Sequence, residues 1–460
     1  MTPLLLILCL VLVVLQVALP RKWAFVPILI AVCHTTHEPF VGALTVTRVV
    51  IIVGLLRAAA NSWVSWSPKN PMDLLVGVFA CLAVFSTVGH VWDYDNPLID
   101  RLRLVVDVMG TYLYMRSYLW DGQALLQFST GLALVILPFA FFLLLEKQSG
   151  LNSYAAVGAK SLISMVREGK IRAQGPFGTP ILTGTVGAIC FPLLIPLWRT
   201  KRRLAIAGLI ACLVVVYSSA SSGPVGTLFL GLGAMFMWKW RDKLKSITIA
   251  AFVFLVILHF VKKRPIWYLM DLMDIVGGST GWHRAYLIDM AIQHMNEWWL
   301  LGSDFTRHWM PYGLVATPFH CDLTNYYVYM GVMGGLPLLI ALVVIQWKTF
   351  AILYKRTEEL RAVNSPEEFG LWCLGSTMFA HAVTFLSISY YDQIYVFFWG
   401  LIGGLAGFIA TGEKESSDKS DEPVVEEIAV QSPLVWGRGL AGPRAAPHRS
   451  DPRPPDCGPI

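Results

Sequence analysis

His320 and Asp322 stand just ahead of about 25 largely apolar residues, 323–347, in the stretch HCDLTNYYVYMGVMGG. A run of that length is enough for a helix to cross a bilayer. Two readings of His320 stand. It caps or anchors a helix end, or it takes a proton from a hydroxyl, since an imidazole with an unperturbed pKa of roughly 6.5 titrates near neutral pH. Two arginines are its natural partners. Arg172 follows Lys170 and leads into GPFGTPILTG, whose glycines and prolines form a turn holding it at the membrane surface. Arg284 falls in the first turn of an amphipathic helix that Ser279 or Thr280 would cap and that runs to about Asn296. Trp282, Tyr286, Met290 and Gln293 recur there at helical spacing. Free backbone N–H groups and the helix dipole favour an anion at such a turn.

A planar guanidinium binds phosphate oxygens in pairs and stays charged. Two of them converging near one imidazole suit a phosphate-bearing lipid headgroup; each taken singly also suits an ion pair with lipid phosphate or a nearby carboxylate. Lys170 is a supporting cation. Asp304 and Asp322 are the nearest carboxylates, placed to position His320 or to cap a helix. Trp298, Trp299, Trp309 and Tyr312 suit a membrane-interface belt or a sugar-stacking surface.

The elements that position these residues are membrane helices. Of 460 residues, 55% are hydrophobic and 14% charged, against about 25% charged in soluble domains; mean hydropathy is +0.58. The fold class is all-α, a polytopic membrane protein with membrane lipids as partners. The net charge of +6 is scattered over short loops and does not point to a nucleic-acid partner. Eight cysteines include no CxxC and no Cys/His cluster, which argues against a structural metal or a disulfide framework.

Apolar runs fall at 4–19, 23–32, 41–56, 72–90, 104–119, 125–145, 179–197, 204–217, 223–237, 247–261, 323–347, 369–388 and 394–410, predicting 12 or 13 helices. The first lacks a basic leader and reads as a retained helix rather than a signal peptide. Segments 1–146, 179–261 and 323–410 are the membrane portions. Lys and Arg collect at Arg199–Arg203, Lys239–Lys245 and Lys348–Arg361, which predicts cytoplasmic loops there. By parity the loops 147–178 and 262–322 are external, the second carrying the active site. Residues 411–460, acidic and then rich in Pro, Gly and Arg, read as a disordered cytoplasmic tail. Inside the membrane, Arg48 and Asp107 either pair with each other or Arg48 lines a carrier pathway. Gly331, Gly334, Gly335 and Pro337 allow close helix packing or a kink.

Taken in order, these features resemble the O-antigen ligase family, within the O-antigen ligase/polymerase group of bacterial membrane glycosyltransferases. The family motif is His, then Asn, Ser or Gln, nine residues, Gly, two residues, Gly. His320, Cys321, Gly331 and Gly334 reproduce the spacing, with Cys321 departing from the pattern. An Arg-x-x-Gly-x-Phe segment is present as Arg172, Gly175 and Phe177, and Arg284 is followed by WWLLGSD. A Ser-Arg habit of the family survives only as SSASSGPVG, without the arginine. The resemblance spans roughly residues 150–335.

It implies transfer of a glycan from an undecaprenyl-diphosphate-linked donor to a hydroxyl-bearing acceptor glycan, lipid (lipid A-core) or protein. The reaction would run at the periplasmic face of the bacterial inner membrane, within lipopolysaccharide biosynthesis. His320 would be the general base, and Arg172 and Arg284 would hold the diphosphate leaving group. The external loops hold no Asp-x-Asp pair, so a metal-independent enzyme without cofactors is expected. A repeat-unit polymerase on the same carrier would need the same groups. A lipid-linked glycan transporter or flippase, from a different class, would instead carry charges deep in several spans and interrupted, repeated helices.

Overall fold

Every one of the thirteen apolar runs contains a helix, and the protein is an all-α polytopic membrane protein. The computed structural model describes residues 2–39, 42–64, 70–91, 96–119, 123–272, 281–311, 313 and 316–421, with side chains described to residue 408. Among them six helices are long and apolar enough to cross a membrane: Pro71–Gly89, Ala124–Ser149, Pro180–Arg199, Arg202–Ser219, Ser222–Val261 and Tyr326–Ala362. The other runs form shorter helices, including Pro3–Ala18. That first helix is packed into the bundle: its Gln16 accepts from Tyr114 Oη at 2.6 Å and donates to Tyr118 Oη at 3.3 Å.

Local chemistry sets several helix starts. Asn70 and Asp73 form a reciprocal capping box ahead of Pro71, satisfying N–H groups that a helix start leaves unpaired. The site helix begins at Tyr326, where Asn325 Oδ1 accepts from the backbone N–H groups of Tyr327 and Val328 at 3.0 and 3.1 Å. Asn325, rather than Asp322, is therefore the cap. The sequence splits 223–261 into two spans; the structure joins them through a kink at Trp240. The second half, Leu244–Val261, is apolar all round and buries none of its side chains, as expected of a span solvated by lipid.

Residues to Glu415 form one contact unit, and Ser416 onward a second. The last helix is Tyr395–Asp421, so the backbone is still helical across residues 411–421, where the sequence predicts disorder. The rest of the expected tail lies outside the described residues. Loop 147–178 carries a feature the sequence reading lacks, an antiparallel hairpin pairing Met165–Arg167 with Lys170–Arg172.

The expected amphipathic helix is present as Gly281–Gln293; its proposed caps, Ser279 and Thr280, lie outside the described residues. Its buried face differs from expectation. His283, Arg284, Leu287, Met290 and Ala291 are inside, while Trp282 and Tyr286 are exposed. Trp298 and Trp309 are also buried, packed with Leu287, Met290, Cys321 and Val332, so they serve neither as an interface belt nor as a stacking surface. Trp299 remains exposed, and Tyr312 is outside the described residues.

Candidate active site

Two glycines fix where the loop meets the site helix. Gly334 and Gly335 break Tyr326–Ala362, Gly335 with φ +74° and ψ −175°, a region open essentially to glycine alone. The break frees carbonyls that an intact helix would use. Val332 O accepts from Ser303 N at 2.9 Å, and Leu336 N donates to Trp299 O at 2.8 Å. A Cβ at Gly335 would stand 2.3 Å from Leu300 O, and one at Gly302 2.2 Å from Val332 O. The HCD…GVMGG and WWLLGSD stretches therefore interlock backbone to backbone. This clamp brings Asp304 and Thr306 to the start of the site helix.

His320 lies there, half-buried. Its Nδ1 is 3.1 Å from Thr306 Oγ1, and its backbone N–H donates to Thr317 Oγ1 at 3.0 Å. No hydrogen bond among the described residues occupies Nε2. Burial pushes its pKa below the ordinary imidazole value; Asp304 pulls it up, and His90 and Arg101 push it down again. In the tautomer whose Nδ1–H donates to Thr306, the neutral ring presents a basic Nε2. Cys321, fully buried, places its Sγ 3.6 Å from the same Thr306 oxygen. The residue after the histidine thus reaches the group that orients the histidine.

His320 opens onto a cavity of about 520 Å³ whose wall also includes His37, Arg48, His90, Arg101, Asp107, Asp304, Tyr391 and Tyr395. Arg48 and Asp107 make a two-bonded ion pair, Nε to Oδ1 at 2.8 Å and Nη2 to Oδ2 at 2.7 Å, with Tyr395 Oη donating to Asp107 at 2.8 Å. The pairing of Arg48 with Asp107 is present, and the paired guanidinium also lines the cavity. Asp304 pairs with His90 and accepts from Val91 N at 2.8 Å. Arg101 donates through Nη2 to Met333 O at 2.7 Å, a carbonyl beside the glycine break, and lies 3.3 Å from His90 Nε2.

Arg172 and Arg284 do not line this cavity with His320; Arg172 feels the charge of Arg284. Each lowers, or is lowered by, its cationic neighbours: Arg172, after burial, by Arg167 and Arg284, and Arg284 by Arg167, with burial foremost and Asp322 opposing. Asp322 in turn is raised by burial and lowered by Arg284. Its charge also acts on Tyr391 of the cavity wall. Asp322 thus acts electrostatically both on Arg284 and on a tyrosine of the cavity wall. Neighbouring His283 is buried with both ring nitrogens unpartnered among the described residues, and burial together with Arg284 brings it down to about 4.

Among the described residues neither arginine has a carboxylate at ion-pair distance. Arg172 Nη2 donates to Ser221 Oγ at 2.7 Å and Nε to Ser219 O at 3.5 Å, while Arg284 Nε donates to Ser387 O at 2.8 Å. The serine stretch that lacks the family's arginine is thus the cradle of Arg172. Glu146, fully buried at the end of Ala124–Ser149, shapes the turn after Arg172 by accepting from Gln174 N, Gly175 N and Ser164 Oγ, each at 2.9 Å. Lys170 ends the hairpin strand with Arg172 and lines a separate surface groove with Lys147 and Ser221.

Sequence reasoning missed His90, Arg101, Thr306 and Glu146. A signal existed for Arg101, in a DRLRLVVD run abutting a span; none marked Thr306. Comparison of the chain with protein-family models, with curated proteins and with solved structures finds no match.

Proposed function

We propose that this chain is an O-antigen ligase-like membrane glycosyltransferase that moves a glycan from undecaprenyl diphosphate to an acceptor hydroxyl at the external face of a bacterial inner membrane. One observation carries the reading. Arg101, Arg172 and Arg284 are all buried, and among the described residues none has a carboxylate at ion-pair distance. Buried cations held only by carbonyls, hydroxyls and an imidazole are costly unless an anion completes them. A lipid diphosphate is such an anion, and its departure develops the charge that fixed guanidinium groups stabilise.

In this reading Arg172 and Arg284 hold the diphosphate and His320 Nε2 takes the acceptor proton. The sugar spans the cavity side marked by Tyr391, and burial, aided by His90 and Arg101 against Asp304, keeps His320 neutral. Asp304 and Asp322 set local potential rather than bind metal. A polymerase of the same group would use the same constellation.

His320→Ala, Arg172→Ala and Arg284→Ala variants, expressed in a strain lacking the protein, test the reading by surface-glycan gels. Long polymer retained on its carrier marks a ligase, and single unextended repeats mark a polymerase. Normal glycan from all three expressed variants rejects the enzyme.

A further inference from the structure

The geometry points to a divalent-cation site of the zinc class formed by His294, Glu297 and His308, separate from the groups that carry the proposed transfer. His294 Nδ1 is 2.8 Å from Glu297 Oε1, His308 Nε2 is 3.0 Å from Glu297 Oε2, and the three ligand atoms all lie within 4.8 Å of one another. Zinc bonds of about 2.0–2.2 Å in a tetrahedron set neighbouring ligand atoms about 3.3 Å apart. Small side-chain shifts therefore admit the ion. Two imidazoles with one carboxylate favour zinc over magnesium or calcium, which take oxygen ligands.

The surroundings are those of a built site. Trp309 Nε1 donates to Glu297 Oε2 at 2.9 Å, the outer hydrogen bond that orients a ligating carboxylate. His294 stacks on the buried Trp309 at 5.7 Å and 8°, and His308 stacks on Phe305 at 5.3 Å and 8°. Both rings are thus held in plane before any ion arrives. The three side chains keep 29–40% exposure, which leaves an entry path and an open fourth position.

The ligands come from two segments. His294 caps the short helix Met295–Trp298 and Glu297 lies within it, and His308 sits in the turn Arg307–Trp309. Between these segments run the residues clamped to the glycine break, Trp299 to Ser303, followed by Asp304 and Thr306. An ion here would staple the loop that presents Thr306 to His320, so the cation would stiffen the site without touching it.

The test uses the purified full-length chain in detergent, stripped with chelator and titrated with Zn²⁺ by calorimetry, beside His308→Ala and Trp309→Phe. His308 is partly exposed, so its truncation spares the core. We expect one more Zn²⁺ per wild-type chain than per His308→Ala chain. Trp309→Phe, which keeps all three ligands, should bind about 10–100-fold more weakly. Zn²⁺ should also raise the melting temperature of the wild type and leave that of His308→Ala unchanged. Equal Zn²⁺ titrations and equal melting shifts for wild type and His308→Ala would overturn the site. Neither readout involves glycan transfer, so the outcome is independent of the function proposed above.

Discussion

Two groups of buried arginines in this chain are satisfied in opposite ways. In the N-terminal part of the bundle, Arg48 meets Asp107 through two bonds and Arg116 meets Asp73 at 2.9 Å, the four side chains 7–11% exposed. Near the loops, Arg101, Arg172 and Arg284 are as deeply buried but rest on carbonyls, serine hydroxyls and an imidazole. A pair completed inside the protein has little left to offer a ligand. A guanidinium with neutral partners keeps its charge available. The same residue type is scaffold in one region and candidate machinery in the other, and the difference lies in whether, among the described residues, a carboxylate stands at ion-pair distance.

The sharpest way to break this comparison is His320→Ala. Loss of a general base should lower transfer about 10²–10⁴-fold with the melting temperature unchanged. Because burial holds the His320 pKa below 6.5, the acid limb of the wild-type kcat/KM should have its midpoint below pH 6.5, activity being lost as the base is protonated. A midpoint at or above 6.5 would remove His320 from the base role. Next comes the scaffold pair. Asp107→Ala leaves Arg48 buried and uncompensated, which should cost about 3–5 kcal/mol of stability, read by thermal melting in detergent.

Arg284→Ala and Arg172→Ala should do the reverse, lowering transfer about 10²–10³-fold while melting shifts little, with Lys a poor rescue. If either arginine variant melts early and Asp107→Ala does not, the division into scaffold and machinery is wrong. Gly335→Ala should cost about 1–3 kcal/mol and lower activity as well, since strain at the break loosens the clamp carrying Thr306. The smallest effect belongs to Thr306→Val. Losing one neutral hydrogen bond to His320 should cost about 0.5–1.5 kcal/mol, seen as at most about a tenfold drop in kcat with KM unchanged.

Much of the architecture was legible because a bilayer imposes length and apolarity on each span. Every predicted run contains a helix, and Arg48 and Asp107 could be matched because unpaired charge among apolar helices is costly. Local pattern was weaker in the loop. Trp282 and Tyr286 fit helical spacing yet face outward, while His283 and Leu287 face in. Periodicity finds a stripe but not the neighbour that covers it. Trp298 and Trp309 were misread for the same reason: their composition suits an interface, and only packing on Gly331 and Cys321 shows them buried.

By itself, then, the sequence determined an all-helical membrane chain, the places where its backbone could break, and a short roster of residues able to do chemistry. These follow from composition, from glycine's freedom at φ +74° and from side-chain chemistry, all of which are local. Only the tertiary structure decided which charges have partners. Asp304 lies 214 residues from His90 along the chain, Arg101 lies 232 from Met333, and Ser387 lies 103 from Arg284. Contacts over such separations arise when helices pack, and no spacing rule within one segment encodes them.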